Sequence, residues 1–224
     1  MICIPIRKKT VEELTKDLKK AEKIADVIEI WFAVGKNFTD KDVKKIFKIS
    51  RKPIIYKPTN FPPLPLSFSH ISKFLKHNPE FIDLDVETNQ KTISQIKKSF
   101  PKVKIILSHH NFKETPPTKT LKKIIKKMAK KGADIFKIAT YAKSLQDSLR
   151  MLELLSEQSK KKKMICICMG KNGEITRTAG HLFGNYLMYA PLDLKDKTAD
   201  GQITAKHLKE IQTVIPKICR GKLE

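Results

Sequence analysis

Long apolar runs, paired cysteines, arginine and glycine-rich turns are all scarce in this 224-residue chain, and each shortage excludes something. The apolar stretches are strand-sized and interrupted by charge, so none is long enough to cross a bilayer. The start, Met1-Ile2-Cys3-Ile4-Pro5-Ile6, runs straight into charged sequence and lacks the three-part pattern of a signal peptide, which makes the cytoplasm the expected compartment. The four cysteines, Cys3, Cys166, Cys168 and Cys219, have neither disulfide-framework nor zinc-site spacing and read as reduced thiols. Cys166 and Cys168 share a strand face with no histidine nearby, so packing explains them better than metal. Arginine is confined to positions 7, 51, 150, 177 and 220, although lysine and arginine together number 46. The net charge of +23 therefore rests on lysines spread over every helix-like segment. With no interleaved aromatics to stack on bases, this reads as a coating of solvated helix faces, and nucleic acid is not the expected partner. The turn after the first strand is Pro5-Ile6-Arg7-Lys8-Lys9, without the glycines a dinucleotide-binding sheet needs.

What is present is alternation. Strand patterns fall at Ile2 to Ile6, Val27 to Val34, Ile54 to Lys57, Phe81 to Val86, Val103 to Ser108, Ile135 to Ala139, Met164 to Met169 and Leu187 to Ala190. Amphipathic stretches lie between and after them: Val11 to Ile24, Asp40 to Ile49, Phe68 to Lys76, Gln90 to Phe100, Thr118 to Lys131, Ser144 to Ser159, Thr178 to Phe183 and Ala205 to Val214. Thr10 opens a capping box, Thr39 and Asp40 precede the second helix, and Gly132 stops the fifth. Strands apolar on both faces and separated by helices call for a parallel sheet, and eight such units close most economically into a (β/α)8 barrel, the TIM-barrel architecture. Residues 1–224 are read as a single catalytic domain of this α/β class, with an open doubly wound sheet as the weaker alternative. Prolines forbid regular structure between Pro58 and Pro65.

Lys137 stands inside the sixth strand pattern, among Ile135, Phe136, Ile138 and Ala139. Burial pushes an ammonium toward the neutral, nucleophilic amine, so this position suggests imine chemistry; the alternative is a strand-end lysine reaching solvent. In a barrel, carboxyl ends of strands converge on one mouth, which would gather Glu29, Lys57, Asp85, Glu87, His110, Lys137, Cys168 and Met169. His110 and Lys137 on adjacent strands supply a base and a carbonyl-reactive amine together.

Four motifs in order resemble those of type I 3-dehydroquinate dehydratases. Ser108-His109-His110-Asn111-Phe112 is similar to the family's Ser-x-His-Asp-Phe, and Ala133 to Ala139 to its Ala-Asp-x-x-Lys-Ile-Ala strand. Met169 to Gly180 resembles Met-x-x-x-Gly-x-x-x-Arg-x-x-Gly, and Thr198 to Gln202 resembles the closing Ser-Ala-Pro-Gly-Gln loop. The resemblance implies a usually dimeric barrel that dehydrates 3-dehydroquinate through a Lys137 Schiff base, with His110 as general acid and base and neither metal nor cofactor. It further implies that Arg177, Thr198 and Gln202 hold the substrate carboxylate and that Glu29 binds ring hydroxyls, with Lys57 as an added point charge.

The departures cluster around the substrate. Trp31 and Ala33 stand where the family carries arginine and aspartate, Lys57 replaces an arginine, Phe61 a glutamate that supports the histidine, and Asn111 an aspartate. Two other readings stand beside this one: from the same fold, a different Schiff-base lyase or aldolase acting on a small hydroxy-ketone acid, and, supported by the missing substrate contacts, a noncatalytic basic barrel that binds a polyanion.

Overall fold

The computed structural model describes residues 1–33, 38–59 and 67–219. Eight strands, β1 (Ile2–Ile6), β2 (Val27–Ala33), β3 (Ile54–Thr59), β4 (Phe81–Asp85), β5 (Lys104–Asn111), β6 (Ile135–Tyr141), β7 (Lys163–Met169) and β8 (Met188–Tyr189), lie in the order β7-β6-β5-β4-β3-β2-β1-β8. Every paired neighbour is parallel. The helices are α1 (Val11–Ala21), α2 (Asp40–Ile49), α3 (Phe68–Leu75), α4 (Gln90–Ser99), α5 (Thr118–Lys131), α6 (Leu145–Gln158), α7 (Glu174–Thr178) and α8 (Ala205–Cys219). The expected barrel is thus the observed one, nearly closed.

The seam between β7 and β8 is joined differently from the rest. Tyr186 N–H donates to the Met164 carbonyl at 2.8 Å, and the Asn185 side chain accepts from Cys166 N–H at 2.9 Å while donating back to its carbonyl. An amide side chain carries one acceptor and one donor group, so Asn185 stands in for a strand residue where β8 is only two residues long.

Strand alternation divides the core into two bodies. Ile4, Ile28, Ile30, Ile82, Leu107, Ile138 and Cys166 face outward and meet the helices through Leu14, Leu18, Ile46, Ile71, Ile96, Leu121 and Leu155. Cys3, Val27, Ile55, Phe81, Ile106, Ile135, Ile165 and Leu187 fill the barrel interior as an apolar floor. Glu29, Asp83, Ser108 and Lys137 are buried above it.

Local signals act largely as expected. Thr39 forms a full capping box with Asp42, and Gly132 ends α5 at φ 88°. Thr10 accepts from Glu13 N–H, but among the described residues the reciprocal half of that box is not made. The stretch expected as a helix from Thr178 to Phe183 is instead the end of α7 followed by a 3-10 turn, Gly180–Phe183. Most of the proline-rich segment, including Phe61, lies outside the described residues. Cys3, Cys166 and Cys168 are buried and unpaired, and no helix among the described residues is long and apolar enough to cross a membrane.

Candidate active site

The site begins with register. Ser108 pairs with both Asp85 and Lys137, so the fourth, fifth and sixth strands bring their polar residues to similar heights above the apolar floor. Period-2 alternation then turns Asp83, Ser108 and Lys137 inward, while Phe136 and Ile138 turn to the helix layer.

Lys137 Nζ lies 2.8 Å from Asp83 Oδ2 and 3.4 Å from Glu29 Oε2, and 4.0 Å from the centre of the Tyr189 ring. Asp83 is fully buried; its other oxygen accepts from Lys57 Nζ at 2.6 Å and from Ser108 Oγ at 2.7 Å. Glu29 is equally committed. Its Oε2 accepts from Tyr189 OH at 3.1 Å, and its Oε1 from the Trp31 indole N–H at 2.7 Å.

This network corrects the expectation of a discharged lysine. Burial does push the Lys137 ammonium down, yet the Asp83 and Glu29 carboxylates outweigh it and hold its pKa above the ordinary lysine value. Burial likewise raises Asp83, but the Lys137 and Lys57 ammoniums win and keep it ionised, well below the usual carboxylate range. The resting site is an ion pair, and the amine becomes a nucleophile only after surrendering a proton.

His110, on the same strand as Ser108, is driven the other way. Burial first, then the ammoniums of Lys137 and Lys57, depress its pKa to about 3, so the imidazole is neutral at physiological pH. Its ring stacks nearly parallel on Phe112 at 6.0 Å, and Phe112 itself is 71% exposed at the mouth.

Arg177 arrives from the other side of the barrel. Thr176 Oγ accepts from Cys168 N–H at 2.8 Å and donates to the Gly173 carbonyl at 2.7 Å, which clamps α7 onto the end of β7. A Cβ on Gly173 would sit 2.6 Å from the Cys168 carbonyl, so this close approach requires glycine. The clamp buries Arg177, whose Nε has no hydrogen-bond partner among the described residues. Burial lowers its pKa to about 10, which leaves it charged. Beside it, Gln202 Oε1 accepts from the backbone N–H groups of Thr198 and Ala199 at 2.8 and 3.1 Å. The carbonyl of Gln202 is thereby spent on its own loop, and its amide NH2 remains as a donor.

All seven residues singled out in the sequence, Glu29, Lys57, His110, Lys137, Arg177, Thr198 and Gln202, line one cavity of about 360 Å3 at the carboxyl end of the strands. Asp85 and Met169 line it as well. Two others expected at the mouth do not. Cys168 packs in the layer between sheet and helices, and Glu87 pairs with Lys127 at the surface, 2.6 Å away. Asp83 was missed as a site residue: it lies two positions before Asp85 on the same inward face, and that period-2 relation was the available signal. Tyr189 was missed too, since an apolar strand pattern gives no hint that its hydroxyl meets a carboxylate. No cluster of metal-ligating side chains occurs among the described residues.

A nearly closed parallel barrel with a buried, carboxylate-held lysine and a neutral histidine at its carboxyl mouth belongs, by fold and site, with the Schiff-base class of (β/α)8 enzymes. The family model for type I 3-dehydroquinase matches residues 2–218, and the chain belongs to that family. It is 33% identical over 225 residues to 3-dehydroquinate dehydratase of Methanococcus maripaludis, covering 96% of this chain and 100% of that protein. It is 33% identical over 224 residues to the enzyme of Methanocaldococcus jannaschii, covering 94% and 97%. The fold matches the crystal structure of 3-dehydroquinate dehydratase from Geobacillus kaustophilus with a TM-score of 0.83 at 22% identity, over 96% of this chain and 91% of that one.

Proposed function

We propose that the protein is a hydro-lyase that removes water from 3-dehydroquinate to give 3-dehydroshikimate. The observation that carries this reading is the joint lining of one cavity by Lys137, neutral His110 and a buried Arg177 whose Nε has no partner among the described residues. Family membership and the names of the relatives supply the substrate.

In this reading the ketone enters beside Lys137, whose ammonium gives up a proton that ends on the ketone oxygen and leaves with it as water. The free amine adds to the carbonyl, and loss of water leaves an iminium that withdraws electrons from the neighbouring carbon. His110 takes the proton from that carbon, a role open to it because it is neutral. The imidazolium then returns a proton to the departing hydroxyl, and hydrolysis of the conjugated imine frees product and regenerates Lys137. Asp83 stabilises the cationic nitrogen before and after addition. Arg177 presents planar donors to the substrate carboxylate, with Thr198 and the Gln202 amide beside it. Glu29 accepts from a ring hydroxyl. Lys57 is held by Asp83, so its part is to set the charge around Lys137.

The 224 residues act as one catalytic domain in the cytoplasm, in keeping with the unpaired thiols of Cys3, Cys166 and Cys168. By likeness to the family the working form is a homodimer, and Leu145 and Leu149, each 59% exposed and one turn apart on α6, offer an apolar stripe to a second copy. The test is direct. Protein mixed with 3-dehydroquinate should generate the ultraviolet absorbance of a conjugated enone, and His110→Ala should lower kcat by about 100-fold or more. Absence of enone with the unaltered protein would refute the reading.

A further inference from the structure

Trp31 is the single tryptophan of the chain, and it stands in the cavity wall in contact with the carboxylate that meets Lys137. Glu29 is buried, and a carboxylate has roughly four acceptor positions. Tyr189 OH and Lys137 Nζ take both positions on Oε2, and the indole N–H takes one on Oε1. Among the described residues nothing takes the second position on Oε1, which leaves it to a ligand, and its direction is set by where the indole holds that oxygen. The indole is fixed in turn from its other side: the Arg7 guanidinium, just beyond β1, lies 5.3 Å from the ring centre, within cation-π range. Lys57 cannot serve this end of the cavity as a free cation, because its ammonium is bonded to Asp83 at 2.6 Å.

We propose that Trp31 is the positioning residue for Glu29, with Arg7 bracing the indole from outside, so that one Glu29 oxygen meets a substrate hydroxyl at a fixed angle. This rests on the dehydratase reading and deepens it by assigning how the hydroxyl end of the substrate is recognised. Arg7 also lines a side pocket of about 140 Å3 that shares Thr198 with the main cavity, so the brace and the carboxylate-binding loop adjoin. The chemistry selected is a hydroxyl donor: a Glu29 oxygen with one free acceptor position rewards a donor and leaves an ether or a second carboxylate unmatched.

The test uses the full chain with Trp31→Phe, Arg7→Met, and Arg7→Met combined with Trp31→Arg, each assayed for steady-state kinetics on 3-dehydroquinate. Phenylalanine keeps a ring and removes the donor. It should raise KM about tenfold with kcat changed less than about threefold, the size expected for one hydrogen bond to a charged group. Arg7→Met should raise KM about threefold, and adding Trp31→Arg should bring KM back toward the starting value, because an arginine at position 31 is a charged donor to Glu29 that needs no brace on an indole ring. Borohydride trapping at Lys137 in each variant shows that the site is still assembled. A packing role alone would give no rescue by arginine. If the unaltered protein turns over and Trp31→Phe leaves KM unchanged, or arginine fails to rescue, the positioning role is overturned while the dehydratase reading stands. If the unaltered protein neither turns over nor traps the substrate, both fall.

Discussion

Replacing Asp83 with asparagine removes the charge that Lys137 and Lys57 share while keeping the side chain's size. At 2.8 Å and an effective dielectric near 20, the attraction between Asp83 and Lys137 is about 6 kcal/mol before desolvation is counted. Breaking a buried pair from one side typically destabilises by about 3–5 kcal/mol, since the remaining charge is left without its partner. Both ammoniums would be left largely buried, with the Lys57 side chain 13% exposed and that of Lys137 only 7%. The sign of the pH dependence separates this account from a simple packing defect. In the unaltered protein the Lys137 pKa is raised, so its contribution to stability is full below the unfolded value of about 10.5 and is lost as pH rises through the folded value. In Asp83→Asn the strongest support for the ammonium is gone while burial, the largest single influence on Lys137, remains, so the folded pKa is expected to fall below the unfolded one. The folded state then holds fewer protons than the unfolded state, and stability climbs with pH toward 10.5 by up to about 1.4 kcal/mol per unit. Urea unfolding of both proteins between pH 6 and pH 9 should show a gap of at least about 3 kcal/mol at pH 7 that narrows on the alkaline side. A constant gap, or one under about 1 kcal/mol, would refute the ion-pair reasoning.

Three further outcomes follow from the same geometry. His110, with its pKa depressed to about 3, should show no midpoint near 6.5 when its ring protons are followed by NMR. Its folded value lies below the unfolded one, so this group withdraws stability as pH falls from about 6.5 toward 3, and a normal titration would contradict the burial described. Arg177→Gln should raise KM by about 10- to 100-fold with a smaller effect on kcat, because in the proposed reaction the buried guanidinium contributes to binding of the substrate carboxylate. Gly201→Ala should weaken substrate binding and lower Tm: Gly201 has φ 76°, and an added Cβ would lie 2.7 Å from the Gly170 carbonyl, displacing the loop that carries Thr198 and Gln202.

The barrel was legible because its signal is repetitive: eight apolar strand patterns, helical spacing between them, and stops such as Gly132 all agree. The cavity lining was legible for a related reason, since strand ends in a parallel barrel meet at one mouth. The charge state of Lys137 was not. Its sequence neighbours Phe136 and Ile138 face the helices, and the groups that govern its proton, Asp83 and Glu29, come from strands 54 and 108 positions away. Depth was equally hidden. Asp83 and Asp85 face the same way, and register levels Asp85 with Ser108 and Lys137; only the side-chain geometry shows that the inner carboxylate, Asp83, meets Lys137. The seam at β7 and β8, closed by Asn185, left no pattern at all because a side chain replaces the strand. Trp31 could be read as a departure from a family motif, but its bond to Glu29 and its contact with Arg7 needed coordinates.

The central claim is that Lys137 is the amine that bonds covalently to the substrate ketone. Borohydride reduction in the presence of 3-dehydroquinate, followed by proteolysis and mass spectrometry of the peptides, places the adduct on a residue. A single modified lysine, Lys137, is expected, with loss of the adduct in Lys137→Ala. An adduct on Lys57 or on a surface lysine, or steady production of enone by a protein that traps nothing, would contradict it.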